Sequence, residues 1–148
     1  MKKIHSEIDI NTTPDVVWDT LMDFQSHQAW NPFIVKIEGE AKVGSKLSVR
    51  LQLPEGMASS FAPTVTAVEA NHRFEWLGVV AFRGIFDGRH QFAIEPTSSG
   101  TKLTQSEEFT GILTPLFMRM IGTKTRSGFE LMNRALKDRA EKAGAKKG

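Results

Sequence analysis

The chain has 148 residues, 40% of them hydrophobic, 9% aromatic and 24% charged, and its 19 Lys+Arg against 17 Asp+Glu leave a formal net charge of +2. That length supports one domain burying roughly 70% of its unfolded surface, and so small and scattered a cationic surplus argues against nucleic acid as a partner. The absence of Cys excludes disulfides, thiolate metal sites and a Cys nucleophile, the absence of Tyr removes any phenol as proton donor, and ten Phe, six Met and three Trp carry the bulky apolar surface instead.

Met1-Lys2-Lys3-Ile4-His5 lacks the apolar core of a signal peptide, and no apolar run approaches the roughly 20 residues that span a bilayer. A cytoplasmic protein without stable membrane insertion is expected, and the Asn11-Thr12-Thr13 sequon is discounted accordingly. One domain over residues 1–148 is expected, ordered over about 3–142, with the small basic tail after Lys142 fraying.

Ile4, Ser6, Ile8 and Ile10 alternate with Lys3, His5, Glu7 and Asp9, the period of a half-buried strand. Thr13-Pro14-Asp15 opens a helix running to about Phe24, and Gln25 to Trp30 forms a second helix halted before Asn31-Pro32. Strands are then predicted from Phe33, over Leu47–Leu53, over Phe61–Glu69 and over Phe74–Val80, with Pro54–Ser60 as a loop. Ile85–Glu95 and Lys102–Thr110 flank Pro96–Gly100 as a hairpin, making seven strands in all. The last element is a helix from Thr114-Pro115 to about Lys142, its apolar stripe interrupted over Gly122–Gly128.

This order, together with Trp30-Asn31-Pro32-Phe33, Trp76-Leu77-Gly78, Gly88–Phe92 and Glu108-Phe109-Thr110-Gly111, resembles the helix-grip fold of the START-like superfamily. The branch it resembles is the polyketide cyclase/dehydrase and lipid-transport-like one. The resemblance implies an α+β fold, β-α-α-β6-α, in which a curved antiparallel sheet wraps around the long C-terminal helix. It also implies an internal cavity for a small hydrophobic molecule such as a lipid, a quinone or a polyketide.

In that architecture the inward strand positions are Phe33, Val49, Leu51, Trp76, Phe86, Phe92 and Phe109, with Trp30 at the mouth. Phe117, Met120, Ile121 and Met132 face them from the helix. A pocket of 300–1,000 Å³ is the usual size, and Gly88, Gly122 and Gly128 would provide room by omitting side chains. The competing reading is a filled core made of the same residues.

Parity also carries polar groups inward. Pairing Ile94 with Leu103 sets Phe92 opposite Gln105 and His90 opposite Glu107, within side-chain contact. His90 with Glu107 is a candidate acid/base pair, although a one-residue bulge would present Glu108 instead. His5, His27 and His72 are expected on the surface, and no histidine pair has metal-ligand spacing, so neither metal nor cofactor is expected. Asn31 is expected to cap a turn or to meet a ligand at the mouth. Three functions remain: a carrier of a small hydrophobic molecule, a cyclase- or dehydratase-like enzyme using His90 with Glu107 or Glu108, and a ligand-free protein-interaction module.

Overall fold

In the computed structural model, which describes residues 2–147, strand β1 (Lys2–Ile10) leads into helix α1 (Pro14–Met22). Thr13 stands in extended backbone before that helix, and its carbonyl accepts the Val16 and Val17 N–H groups. Pro14 loses nothing at the first helical position, where its missing N–H has no intrahelical partner. Val16, Val17, Trp18 and Leu21 form the buried face. A 3₁₀ turn (Phe24–Ser26) and the single-turn α2 (His27–Trp30) follow.

Seven strands follow, β2 (Ile34–Glu38), β3 (Ser48–Gln52), β4 (Ala58–Phe61), β5 (Thr64–Glu69), β6 (Arg73–Val80), β7 (Phe86–Thr97) and β8 (Gly100–Thr110), making eight with β1 among the described residues. They make two antiparallel sheets, β1-β8-β7-β6-β5 and β2-β3-β4. The count of seven is corrected at Pro63, which lacks the N–H a continuous strand would need and separates β4 from β5. Residues 58–60, expected as loop, pair with β3. The bridge between Lys46 and Thr64 joins the two sheets, together with the Val65 N–H donating to the Ser45 carbonyl and the Leu47 N–H to the Pro63 carbonyl at 2.9 Å each.

The β7–β8 hairpin turns on Ser98-Ser99 and keeps one register throughout, pairing Ile94 with Leu103, Phe92 with Gln105 and His90 with Glu107. No bulge intervenes, so Glu107 shares the inner face with Phe109 while Glu108 falls on the outer one. The candidate Glu108 is thereby corrected.

Helix α3 (Thr114–Lys147) has 34 residues and spans roughly 50 Å. It passes through Gly122–Gly128 unbroken, burying Thr125, Phe129, Met132, Asn133, Leu136 and Ala140 against β1, β8 and α1. Met120, expected inside, is 57% exposed. It lies nine positions before Phe129, two and a half turns at 3.6 residues per turn, and so faces the opposite side of the helix. The end at Lys142 is corrected to Lys147, because this turn is anchored: Glu141 accepts the Asn11 N–H at 2.8 Å, and Gly144 closes onto Thr12 with no space for a Cβ. No helix among the described residues is long and apolar enough to cross a membrane.

Candidate functional site

Between the β3–β4 hairpin, the ends of β6 to β8 and the first half of α3 lies an apolar recess of about 150 Å³. Period-two alternation aims Leu51 and Leu53 into it from β3 and its end, and Ser59 and Phe61 from β4. Val79, Val80, Phe86 and Phe109 form the opposite wall, and Ile121 and Thr125 on α3 close the top with Phe33. The wall rings Phe109 and Phe86 stack at 5.3 Å between centroids, and Phe117 stacks behind Phe86 at 4.5 Å.

Of the residues expected around a ligand, the structure brings Phe33, Leu51, Phe86, Phe109 and Ile121 together here. Phe117 supports Phe86 from behind. Val49, Trp76, Phe92 and Met132 belong instead to the filled core, where Trp76 meets Phe74 at 5.7 Å and Phe92 at 5.8 Å. Trp30 stands away from the recess, its ring 4.8 Å from His27, beside a groove that includes Asp19, Asp23 and Arg139. Aromatic rings occupy the middle of the wrap, which is why the recess is smaller than the usual 300–1,000 Å³ of a ligand pocket.

One ionisable side chain lines the recess, Glu107. His90, 3% exposed, donates from Nδ1 to Glu107 Oε1 at 3.1 Å, and its ring is held between Trp76, Phe92 and Phe129 at centroid distances of 5.1, 4.7 and 5.0 Å. Gly88 is the neighbour that permits this arrangement: a Cβ there would overlap Glu107 Oε2. His90, expected to meet a ligand, does not itself line the recess; Glu107 lines it, with His90 hydrogen-bonded to that carboxylate.

His90 Nε2 meets the Gln105 side-chain amide at 2.9 Å; Gln105 Nε2 donates to Asn133 Oδ1 at 2.9 Å, and Asn133 Nδ2 donates to Ser6 Oγ at 3.1 Å. A polar thread thus crosses the core from β7 through β8 and α3 to β1. Asn133 and Phe129 escaped the sequence reading as site supports. Their signal is the spacing Thr125, Phe129, Met132, Asn133, Leu136, which continues one face through the glycine-rich interruption.

His27, expected on the surface, is 1% exposed. Its Nε2–H donates to the Leu21 carbonyl at 2.7 Å and its Nδ1 accepts from Asn31 Nδ2 at 3.0 Å. Asn31 Oδ1 in turn accepts the Phe33 and Ile34 N–H groups at 2.9 Å each, so Asn31 caps the entry to β2 rather than serving a mouth. Burial pushes the His27 imidazole below its ordinary range, opposed by the Leu21 carbonyl and Asp23. The unfolded chain therefore binds a proton that the folded one refuses. Stability from this group is complete above about pH 6.5 and declines as the pH falls toward the folded value. Urea midpoints are expected to drop across that window, and a His27→Gln variant to show a shallower drop; equal slopes in the two proteins would refute the assignment.

The fold recurs in solved structures at low identity. Protein MLL2253 from Mesorhizobium loti is 19% identical, with TM-score 0.72 over 93% of this chain and 95% of that one. TTHA0849 from Thermus thermophilus is 15% identical, with TM-score 0.75 over 96% and 99%, and Ara h 8.0201 is 15% identical, with TM-score 0.70 over 94% and 97%. Identities this low carry the shared fold alone. No curated protein matches the sequence. The family model described as polyketide cyclase/dehydrase and lipid transport matches residues 1–141, and the helix-grip arrangement of the elements agrees with it: the chain belongs to that family.

Proposed function

We propose that the protein binds a small, mainly apolar molecule in the recess, with the Glu107 carboxylate receiving a hydrogen-bond donor on that molecule. The observation that carries this reading is an apolar recess of about 150 Å³ with a single ionisable lining side chain. A dry apolar cavity of about that volume accommodates a benzene ring, so one ring or a short acyl segment fits without rearrangement. At about 25 cal/mol per Å² such a guest gains only a few kcal/mol from burial. The hydrogen bond to Glu107, worth about 1.5–3 kcal/mol to a charged group, therefore decides between guests. His90 and the thread behind it fix the carboxylate and lower the cost of ordering it on binding.

A matched pair of probes, p-cresol and toluene, tests this by calorimetry. Both are expected to bind the wild type, and Glu107→Gln is expected to weaken p-cresol about 10- to 100-fold while leaving toluene unchanged. Absence of toluene binding, or equal losses for both probes, would overturn the reading. Native mass spectrometry of freshly purified protein then identifies the resident guest.

The same carboxylate favours a second reading, a cyclase- or dehydratase-like enzyme in which Glu107 takes a proton from the bound molecule. His90 is then a positioning residue, since it touches Glu107 and not the recess. Turnover lost in Glu107→Gln with binding retained would favour this second reading.

A further inference from the structure

The end of the molecule where α3 begins carries an apolar surface that no other element covers. Phe82 and Ile112 are each 76% exposed, and Val80, Leu113, Leu116 and Met120 are exposed with them. The Ile112 N–H donates to the Gly84 carbonyl and the Leu113 N–H to the Ile85 carbonyl, both at 2.9 Å. Those bonds tie the β6–β7 loop to the β8–α3 loop, so the residues form one surface.

Its surroundings are basic. From Thr110 to Phe129 the sequence contains Arg119, Lys124 and Arg126 and no acid, Lys124 being paired with Glu55 between β3 and β4 at 3.5 Å. Asp87, the acid nearest the β6–β7 loop, is buried and accepts from Arg83 Nε at 3.0 Å. Beside the patch a groove of about 520 Å³ is lined by Lys2, Ile112, Thr114 and Arg119 among others, with no acid in its lining. A second groove, between β1 and α3, adds Lys3 and Arg126. Thr114 is buried in the first groove, and its Oγ1 has no hydrogen-bond partner among the described residues. It stands at the positive end of the long helix dipole.

We infer that this end of the molecule docks on an anionic lipid surface, its apolar residues entering the acyl boundary while Lys2, Arg83 and Arg119 meet headgroup phosphates. An apolar tip ringed by cations is the pattern of a protein that lies on a bilayer without spanning it. A second copy of the chain is the wrong partner, because joining two such patches sets cation rim against cation rim. The inference goes beyond ligand binding, although Val80 belongs to both surfaces and docking would bring the recess edge to the membrane.

Co-sedimentation with vesicles of phosphatidylcholine, alone or mixed with phosphatidylglycerol, tests it without any ligand. The wild type is expected to partition onto the mixed vesicles, more weakly onto phosphatidylcholine alone, and less as salt is raised. Phe82→Ser combined with Ile112→Ser is expected to lose about tenfold or more in partitioning. Lys2→Gln combined with Arg119→Gln is expected to lose roughly fivefold per cation. All four positions are exposed, so circular dichroism is expected to be unchanged. Wild-type protein left in the supernatant with mixed vesicles, or variants that partition like it, would overturn the inference. So would light scattering that shows a dimer dispersed by Phe82→Ser. Titrating the same variants with p-cresol separates a failure here from a failure of the recess.

Discussion

Replacing His90 with alanine is expected to lower the unfolding free energy by about 3–5 kcal/mol, from buried hydrogen-bond partners left unsatisfied together with the cavity left by a buried ring. The loss is read as a lower urea midpoint at unchanged slope. The cost arises because the Glu107 carboxylate keeps its place over Gly88 but loses its donor, and the fully buried Gln105 loses its partner on β7. A void also opens between Trp76, Phe92 and Phe129, which cannot close completely. Replacing both partners, His90→Leu with Glu107→Met, is expected to recover most of the loss, since an apolar pair of similar volume needs no donor. A His90→Ala cost below about 1 kcal/mol would show that the thread from β7 to Ser6 is not formed.

Gly128→Leu is expected to be similarly damaging, at roughly 3 kcal/mol, through overpacking. A Cβ on Gly128 would already overlap the Phe33 ring, and Phe33 is trapped against Phe129 at 5.6 Å with 1% of its surface exposed. Gly128→Ala separates the two opposing effects. Its gain in helix propensity, about 1 kcal/mol, is expected to be outweighed, leaving the variant less stable than the wild type in thermal and urea unfolding. A stabilised Gly128→Ala would mean that Phe33 does not pack on the helix. The expectation that this glycine holds space open beneath α3 would then be restored.

Where alternation was regular, the chain disclosed its structure directly. The β7–β8 register, and with it the meeting of His90 and Glu107, follows from Ile94 and Leu103 alone once the hairpin is recognised. The start of α1 follows from Thr13-Pro14-Asp15. Legibility failed where a local rule was broken by packing. Pro63 divides a run that reads as one strand, and in β2 a register shift between Ile34 and Lys36 moves Ile34 inward against the simple alternation. His27 reads as a turn residue because its partners are a carbonyl six residues back and an amide four residues on, which hydropathy does not register. The helix phase was misjudged for Met120 because Gly122 to Gly128 offer few apolar markers, while Phe129 resets it. The size of the recess was the least legible quantity. It depends on how far the rings of Phe33, Phe74, Trp76, Phe92 and Phe129 fill the wrap, and that is a matter of three-dimensional packing rather than of pattern.

The pairing of β1 with β8 sets the order in which the molecule can be assembled. Among the described residues, residues 2–10 find their one sheet neighbour in residues 101–109, and α3, which covers β1, comes later still. A nascent chain thus carries β1 without its sheet partner until β8 has been synthesised. Non-local pairing of this kind slows folding and leaves an apolar edge open to aggregation meanwhile. Lys2, Lys3, Glu7 and Asp9, spaced along that waiting strand, supply the charges that discourage a premature neighbour.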